Sequence, residues 1–329
     1  MSTQEKEVIK ARKSEEPLGE KPSRDDQIEI PVIGVRFPRA WLPLLLMGFA
    51  AVLVFGWSFL QHLPATWFEE EGYYSHGILI PFMSLAVIYM RREQIAKERV
   101  GSSPLGLVLL LLGCLLLLLG KRIDNNLSVA AAGFILALIG GAYFSFGRYV
   151  ARHLLGPLLF LVFMMPVLGW FIDNFTNPLQ VISTRIAEKM LNIAGFQTAI
   201  SPVYPTRIDM NNYTLIVGGP CSGFKLILAL TAFAVFFLMI SKMNWWRSLV
   251  FIALILPLAL FINGLRIMLI GVVGENGSHP LFSWLRNYGD DPGLVFHDYS
   301  GYITLIVCFL ILNVIVKYLE GGASRAQET

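Results

Sequence analysis

The chain has 329 residues, of which 55% are hydrophobic and only 15% charged, with a formal net charge of +3. Average soluble chains carry roughly 45–50% apolar and about 25% charged residues, and here the surplus lies in blocks that are apolar on every face, such as 104–120 and 224–240. A soluble helix needs a polar face, so these blocks exclude a soluble globular protein and identify a polytopic membrane protein. The small positive charge gives no reason to expect nucleic acid, because Lys and Arg are needed to orient spanning helices. Three cysteines are too few for a disulfide framework, and none has CxxC metal-site spacing. Neither a metal nor another cofactor is expected.

In chain order, residues 1–40 are polar, rich in Lys, Arg, Glu and Pro, and without hydrophobic periodicity. They are expected to form a mostly disordered tail, and the first apolar block begins too late, at Trp41, for a cleavable signal peptide. Eight candidate spans follow, at about 41–60, 74–90, 104–120, 127–146, 154–172, 224–240, 248–272 and 299–317. The second is the weakest, being short and containing Pro81. The transmembrane domain is thus expected over 41–320, with a short tail at 321–329. An even number of spans puts both ends on one side. That side collects 18 Lys and Arg residues against 6 on the other, so both termini are expected in the cytoplasm. The expected fold is all-α and polytopic, with outward loops at 61–76, 173–223 and 273–298.

The longest of these loops carries its own signals. Asn177-Pro178 reads as a helix start, and Leu179, Ile182, Ile186, Met190 and Ile193 recur at steps of three and four before Gly195. This pattern predicts an amphipathic helix on the outer membrane surface. Two β-prone runs, Ile208–Met210 and Tyr213–Val217, flank Asn211-Asn212 and predict a small hairpin. Its second arm runs directly into Gly218-Gly219-Pro220-Cys221-Ser222-Gly223.

Cys221 stands where the sixth span starts. A cysteine at a helix N-terminus has its thiolate favoured by free N–H groups and the helix dipole. The first-turn amides offer an oxyanion hole, and Lys225 lies one turn on along the same face. The bland alternative is a small residue at a tight loop-to-helix junction. Arg266 lies in the seventh span, roughly 9 Å below its outer end at about 1.5 Å rise per residue. An intramembrane arginine is costly and usually faces a polar cavity with a partner, and Asn263 shares its face. The alternative is that its long stem lets the charge snorkel to the interface. His297 precedes the eighth span and suits a general base for a thiol, with His76 as a rival near the same face. His62, His279 and His153 have less context, and Cys114 and Cys308 lie within spans. The orientation count, made without reference to chemistry, brings Cys221, Arg266 and His297 to one membrane face. A thiol nucleophile, an imidazole base and a cation for a developing oxyanion form the minimal set for acyl transfer.

These residues fall in ordered blocks that resemble the exosortase/archaeosortase family of polytopic cysteine transpeptidase-like enzymes. Tyr74-Ser75-His76-Gly77 with Pro81 and Arg91-Arg92 is similar to its early block. Phe163-Met164-Met165-Pro166 and Pro178-Leu179-Gln180 are similar to its central region. Pro220-Cys221-Ser222-Gly223 resembles its nucleophile motif, Asn263-Gly264-Leu265-Arg266-Ile267 its arginine motif, and His297 its late histidine. The resemblance spans about 67–317. It departs at Phe224-Lys225, where many members carry an aliphatic and then an arginine or similar residue, and the extra C-terminal domain fused to some members is not expected here. It implies a thiol protease and transpeptidase of the bacterial inner membrane, multi-pass, with its active site facing the periplasm. The implied substrates are secreted proteins with a C-terminal sorting signal: a short motif, a transmembrane helix and a basic end. Cys221 would form a thioester, His297 would move the proton, Arg266 would stabilise the oxyanion, and the acyl group would pass to an envelope acceptor. Two other functions remain open from the residues: a transporter or flippase with Asn263 and Arg266 lining a path, and a scaffold indifferent to Cys221.

Overall fold

The computed structural model describes residues 27–30, 35–38, 42–69, 72–123, 126–167 and 169–327. Most of the expected N-terminal tail lies outside them. Its described part is an antiparallel ribbon, β1 (Gln27–Ile30) on β2 (Val35–Pro38), where the composition had suggested no structure. The helices that follow are α1 (Leu42–Trp67), α2 (Leu79–Met90), the single turn α3 (Arg92–Ile95), α4 (Pro104–Arg122) and α5 (Leu127–Phe160). After them come α6 (Gly169–Ile193), α7 (Phe224–Ile240), α8 (Trp245–Glu275) and α9 (Pro292–Gln327). The expected C-terminal tail at 321–329 is helical to Gln327, as a continuation of α9.

Among the described residues, four helical stretches are long and apolar enough to cross a membrane: Pro104–Arg122, Leu127–Met164, Trp245–Glu275 and Pro292–Glu320. Ser75–Met90 and Phe224–Ile240 are apolar but shorter. The protein is therefore an all-α multi-pass membrane protein in outline. The stretch at Leu127–Met164 combines two of the expected segments, because the chain reverses at Gly147, whose φ of 77° is left-handed. Before the reversal, α5 runs antiparallel to α4: Gly106 meets Tyr143–Phe144, Gly113 meets Ala137, and Gly120 meets Ala130. These glycines repeat every seven residues, and a Cβ on Gly120 would lie 2.7 Å from the Ala130 amide nitrogen. Small residues thus let two backbones touch where lipid supplies no hydrophobic drive. After the reversal, the second arm runs back along α2. Ser84 Oγ donates to the Pro157 carbonyl at 2.8 Å, and Trp67 Nε1 to that of Met164 at 2.8 Å.

The fifth expected span, 154–172, is not one helix. A 3-10 turn at Leu161–Met164 ends it, Pro166 follows, and α6 starts at Gly169. The surface helix expected from Asn177 therefore begins earlier and carries Pro178 inside it. Pro178 forfeits a helical rung. Packing offsets the loss, since Ile172 and Leu179, two turns apart, both pack on Tyr74, Phe224 and Leu228. The helix ends as expected before Gly195, at φ 93°. Its buried line is Ser183, Ala187 and Leu191, whereas Ile182 and Ile193 of the expected stripe stay exposed.

The hairpin forms with its two-residue turn at Asn211-Asn212. Strands β4 (Arg207–Asp209) and β5 (Thr214–Ile216) pair antiparallel, and β3 (Ala199–Ile200) adds a third strand outside β4. Leu215 and Val217 sink into a core shared with Ala187, Leu191, Ile267 and Ile270. The sheet is clamped to the helices that bear the candidate site. Asn212 donates its amide and side-chain Nδ2 to the Glu275 carboxylate at the end of α8, at 3.0–3.1 Å. Tyr213 hydrogen-bonds Asp291, which caps α9 by accepting from the amides of Gly293 and Leu294. Burial, and then the Asp291 carboxylate, push the Tyr213 phenol up to about 12, so it stays a donor.

Candidate active site

The nucleophile loop begins where β5 ends. Gln180 Nε2 of α6 donates to the Val217 carbonyl at 2.5 Å, and Gly219–Ser222 then make a 3-10 turn. Gly223 adopts φ 87°, a left-handed conformation that restarts the chain as α7 at Phe224. Cys221 accordingly precedes α7 instead of lying in its first turn. The oxyanion hole expected from the first-turn amides is not formed by the Cys221 and Phe224 N–H groups, because these already donate to the Gly218 carbonyl at 3.0 Å and to Ser222 Oγ at 3.2 Å.

A buried polar network holds this loop against two helices. Asn263 on α8, 1% exposed, donates through Nδ2 to the Cys221 carbonyl at 2.8 Å and to Ser183 Oγ at 3.1 Å. Ser183 on α6 donates in turn to the Ser222 carbonyl at 2.9 Å. Nothing in the residue pattern singled out Ser183, since a serine on an amphipathic helix carries no signal of its partner. Gly264, next to Asn263, lets α6 approach closely: a Cβ there would meet the Ile186 side chain.

Cys221 Sγ, on a residue 6% exposed, lies 2.8 Å from His297 Nε2. The other ring nitrogen, Nδ1, lies 3.0 Å from Asp298 Oδ1. A thiol, an imidazole and a carboxylate thus follow one another within hydrogen-bonding distance, an arrangement that can activate a nucleophilic side chain. Asp298, the residue after His297, is a signal available in the sequence, because a carboxylate beside a candidate base can orient it. His76, the rival base, is not at the thiol. It is 2% exposed, stacks near Tyr74 and hydrogen-bonds the backbone of Phe163, and its Nδ1 has no partner among the described residues.

Arg266 is tied to α9 by two bonds. Nε donates to Ser300 Oγ at 3.0 Å, and Nη2 to the His297 carbonyl at 3.1 Å. Ser300 Oγ itself donates to that carbonyl at 2.9 Å, so the residue bearing the imidazole is gripped from its backbone side. The partner expected for an intramembrane arginine is thus a backbone carbonyl and a hydroxyl. Ser300 was not foreseen, though it stands one turn after His297. Ser75, Lys225, Asn263, Arg266, His297 and Asp298 face a cavity of about 330 Å³. Lys225 lies within electrostatic range of both Arg266 and Cys221. A second cavity, of about 220 Å³, meets the first at His297 and contains Cys221 and the length of β5.

The remaining candidates fall elsewhere. His153 contacts Glu98 at 3.1 Å, His279 Nδ1 accepts from the Leu281 amide at 3.2 Å, and Cys114 and Cys308 are buried in separate helical cores. Among the described residues, no group of three or more His, Cys, Asp or Glu side chains is placed to hold a metal ion.

No curated protein and no solved structure matches the chain. A family model described as transmembrane exosortase matches residues 67–314. That match runs from the end of α1 deep into α9 and includes Cys221, Asn263, Arg266 and His297. On that match, covering most of its length, the chain belongs to the transmembrane exosortase family.

Proposed function

We propose that the protein is a membrane-embedded cysteine transpeptidase that removes C-terminal sorting signals from secreted proteins. The observation that carries this reading is the 2.8 Å approach of Cys221 Sγ to His297 Nε2, with Asp298 behind the ring and Arg266 facing the adjoining cavity. The thiol proton passes to His297 as sulfur attacks the scissile carbonyl. Negative charge then develops on the carbonyl oxygen, beside the guanidinium of Arg266 and the ammonium of Lys225. Collapse breaks the peptide C–N bond, and His297 returns its proton to the leaving amine. The thioester on Cys221 then passes its acyl group to a nucleophile of an envelope acceptor, whose proton His297 receives.

The substrates are secreted proteins ending in a short motif, a transmembrane helix and a basic tail. The lysine and arginine distribution supports an inner-membrane orientation with both termini cytoplasmic and Cys221 toward the periplasm. Membership of the family supports the reaction class. A transport path is less well supported, because the Asn263 amide is engaged by the Cys221 carbonyl and Ser183, and Arg266 by Ser300 and His297. The test is C-terminal peptide mass spectrometry of envelope proteins from cells carrying wild type or Cys221→Ala. The expected outcome is accumulation of proteins that keep a hydrophobic, basic-ended tail. Identical profiles from an inserted, expressed variant would sink the cysteine mechanism.

A further inference from the structure

β5 is one of the two edge strands of its sheet, in the order β3-β4-β5. Its hydrogen bonding to β4 alternates, as in any antiparallel pair. The Met210 amide donates to Tyr213 and the Val217 amide to Thr206, with Ile208 opposite Leu215 between them. The intervening pairs, Asp209 with Thr214 and Arg207 with Ile216, are therefore the non-bonded ones. Their geometry turns the N–H and C=O groups of Thr214 and Ile216 away from β4, toward the open side. A free edge of this kind is a ready template for another strand.

Three further observations indicate what the template receives. The second cavity is lined by consecutive residues Tyr213 to Val217 together with Cys221 and His297, so edge and nucleophile share one space. Across from the strand, Ile267, Ile270 and Leu294 supply an apolar surface, with Asp291 as the one carboxylate among the described lining residues. The strand is also held rigid toward that space, through Asn212 to Glu275, Tyr213 to Asp291, and Val217 to Gln180. An enzyme that cleaves between residues of a flexible chain needs the scissile carbonyl brought to the sulfur in one register, and main-chain pairing supplies register without dictating side chains.

We propose that the open edge of β5 receives the substrate, binding the extended segment around the scissile bond as an additional strand through the N–H and C=O groups of Thr214 and Ile216. Pairing at that edge carries the scissile carbonyl to Cys221, and the apolar wall of the cavity holds the side chains that point inward. This assignment rests on the cysteine transpeptidase reading.

Ile216→Pro tests it, because proline removes only the outward N–H and places its ring where the incoming strand would lie; outward edge positions tolerate proline. Ile216→Ala keeps the N–H and serves as the control. Tail removal is followed in cells, and alkylation of Cys221 by iodoacetamide in membranes reports whether the site is assembled. The expected result is tail removal slowed about tenfold or more in Ile216→Pro relative to Ile216→Ala, with alkylation retained in both. Normal tail removal in Ile216→Pro, while Cys221→Ala is blocked, overturns the edge assignment and leaves the cysteine mechanism standing. Normal tail removal in Cys221→Ala removes the reading on which it rests. A second measurement does not depend on the proline variant folding. Photoreactive benzoylphenylalanine at position 216 of Cys221→Ala should crosslink the tail-bearing proteins, whereas the same group at exposed Ile193 should not. Absence of adducts at 216 also overturns the assignment.

Discussion

If Cys221 is the nucleophile, the buried amide of Asn263 is the group that positions it. Its Nδ2 makes two hydrogen bonds, to the Cys221 carbonyl at 2.8 Å and to Ser183 Oγ at 3.1 Å, with 1% of the residue exposed. Asn263→Ala strands the buried Cys221 carbonyl, at a cost of about 1–3 kcal/mol, and unties the nucleophile loop from α8. Ser183, through the Ser222 carbonyl, then remains to hold the loop to α6. Because Sγ must stay within hydrogen-bonding reach of His297 Nε2, a displacement of about 1 Å is enough to lower turnover by about a hundredfold. Tail removal in cells, iodoacetamide labelling of Cys221 and the melting temperature in detergent measure the three consequences separately. The expected outcome is a modestly lowered melting temperature, slower labelling, and tail removal reduced far more than stability. A variant with wild-type turnover and labelling would refute the claim that Asn263 positions the cysteine.

Other substitutions are graded by the same contacts. Cys221→Ser should be nearly inactive, since a hydroxyl beside an imidazole ionises far less than a thiol, and tail-retaining proteins in mass spectra would show it. Asp298→Asn should cost less than about tenfold, because the Asp298 side chain is 77% exposed and a hydrogen bond to His297 Nδ1 made at the surface contributes little; rates of tail removal against His297→Ala give the comparison. Arg266→Lys keeps the charge but loses the fork that reaches both Ser300 and the His297 carbonyl, so turnover should fall despite retained charge. Gly113→Leu should prevent α4 from seating on Ala137 and lower the yield of folded protein, read by size-exclusion chromatography in detergent. Glu98 is held below the usual carboxylate range by hydrogen bonds from His153 and Arg152. Its contribution to stability is therefore present above the unfolded carboxylate range and disappears as the pH falls through its lower folded value. Melting curves of wild type and Glu98→Gln should converge on acidification.

The apolar blocks, the Asn211-Asn212 turn and the stop at Gly195 could all be read along the chain, because each depends on neighbours within a few residues. Side-chain polarity alone dictates that blocks such as 104–120 seek lipid or one another, and backbone freedom at glycine fixes where a helix can end. The spacing of Cys221, Arg266 and His297 around outer ends of spans was similarly available from charge distribution and motif order. Folding in three dimensions decided what local pattern leaves open. It selected His297 over His76 for the thiol, although both lie near the same face, because α9 and the nucleophile loop converge while His76 is sealed against Phe163. It also extended α6 back through Pro178 by the packing of Ile172 and Leu179, and recruited Ser183, Ser300 and Asp298 to the site. Those outcomes depend on contacts between residues far apart in the chain, 76 positions in the case of Cys221 and His297. Periodicity carries no record of such contacts, and only the packed arrangement of helices sets their distances.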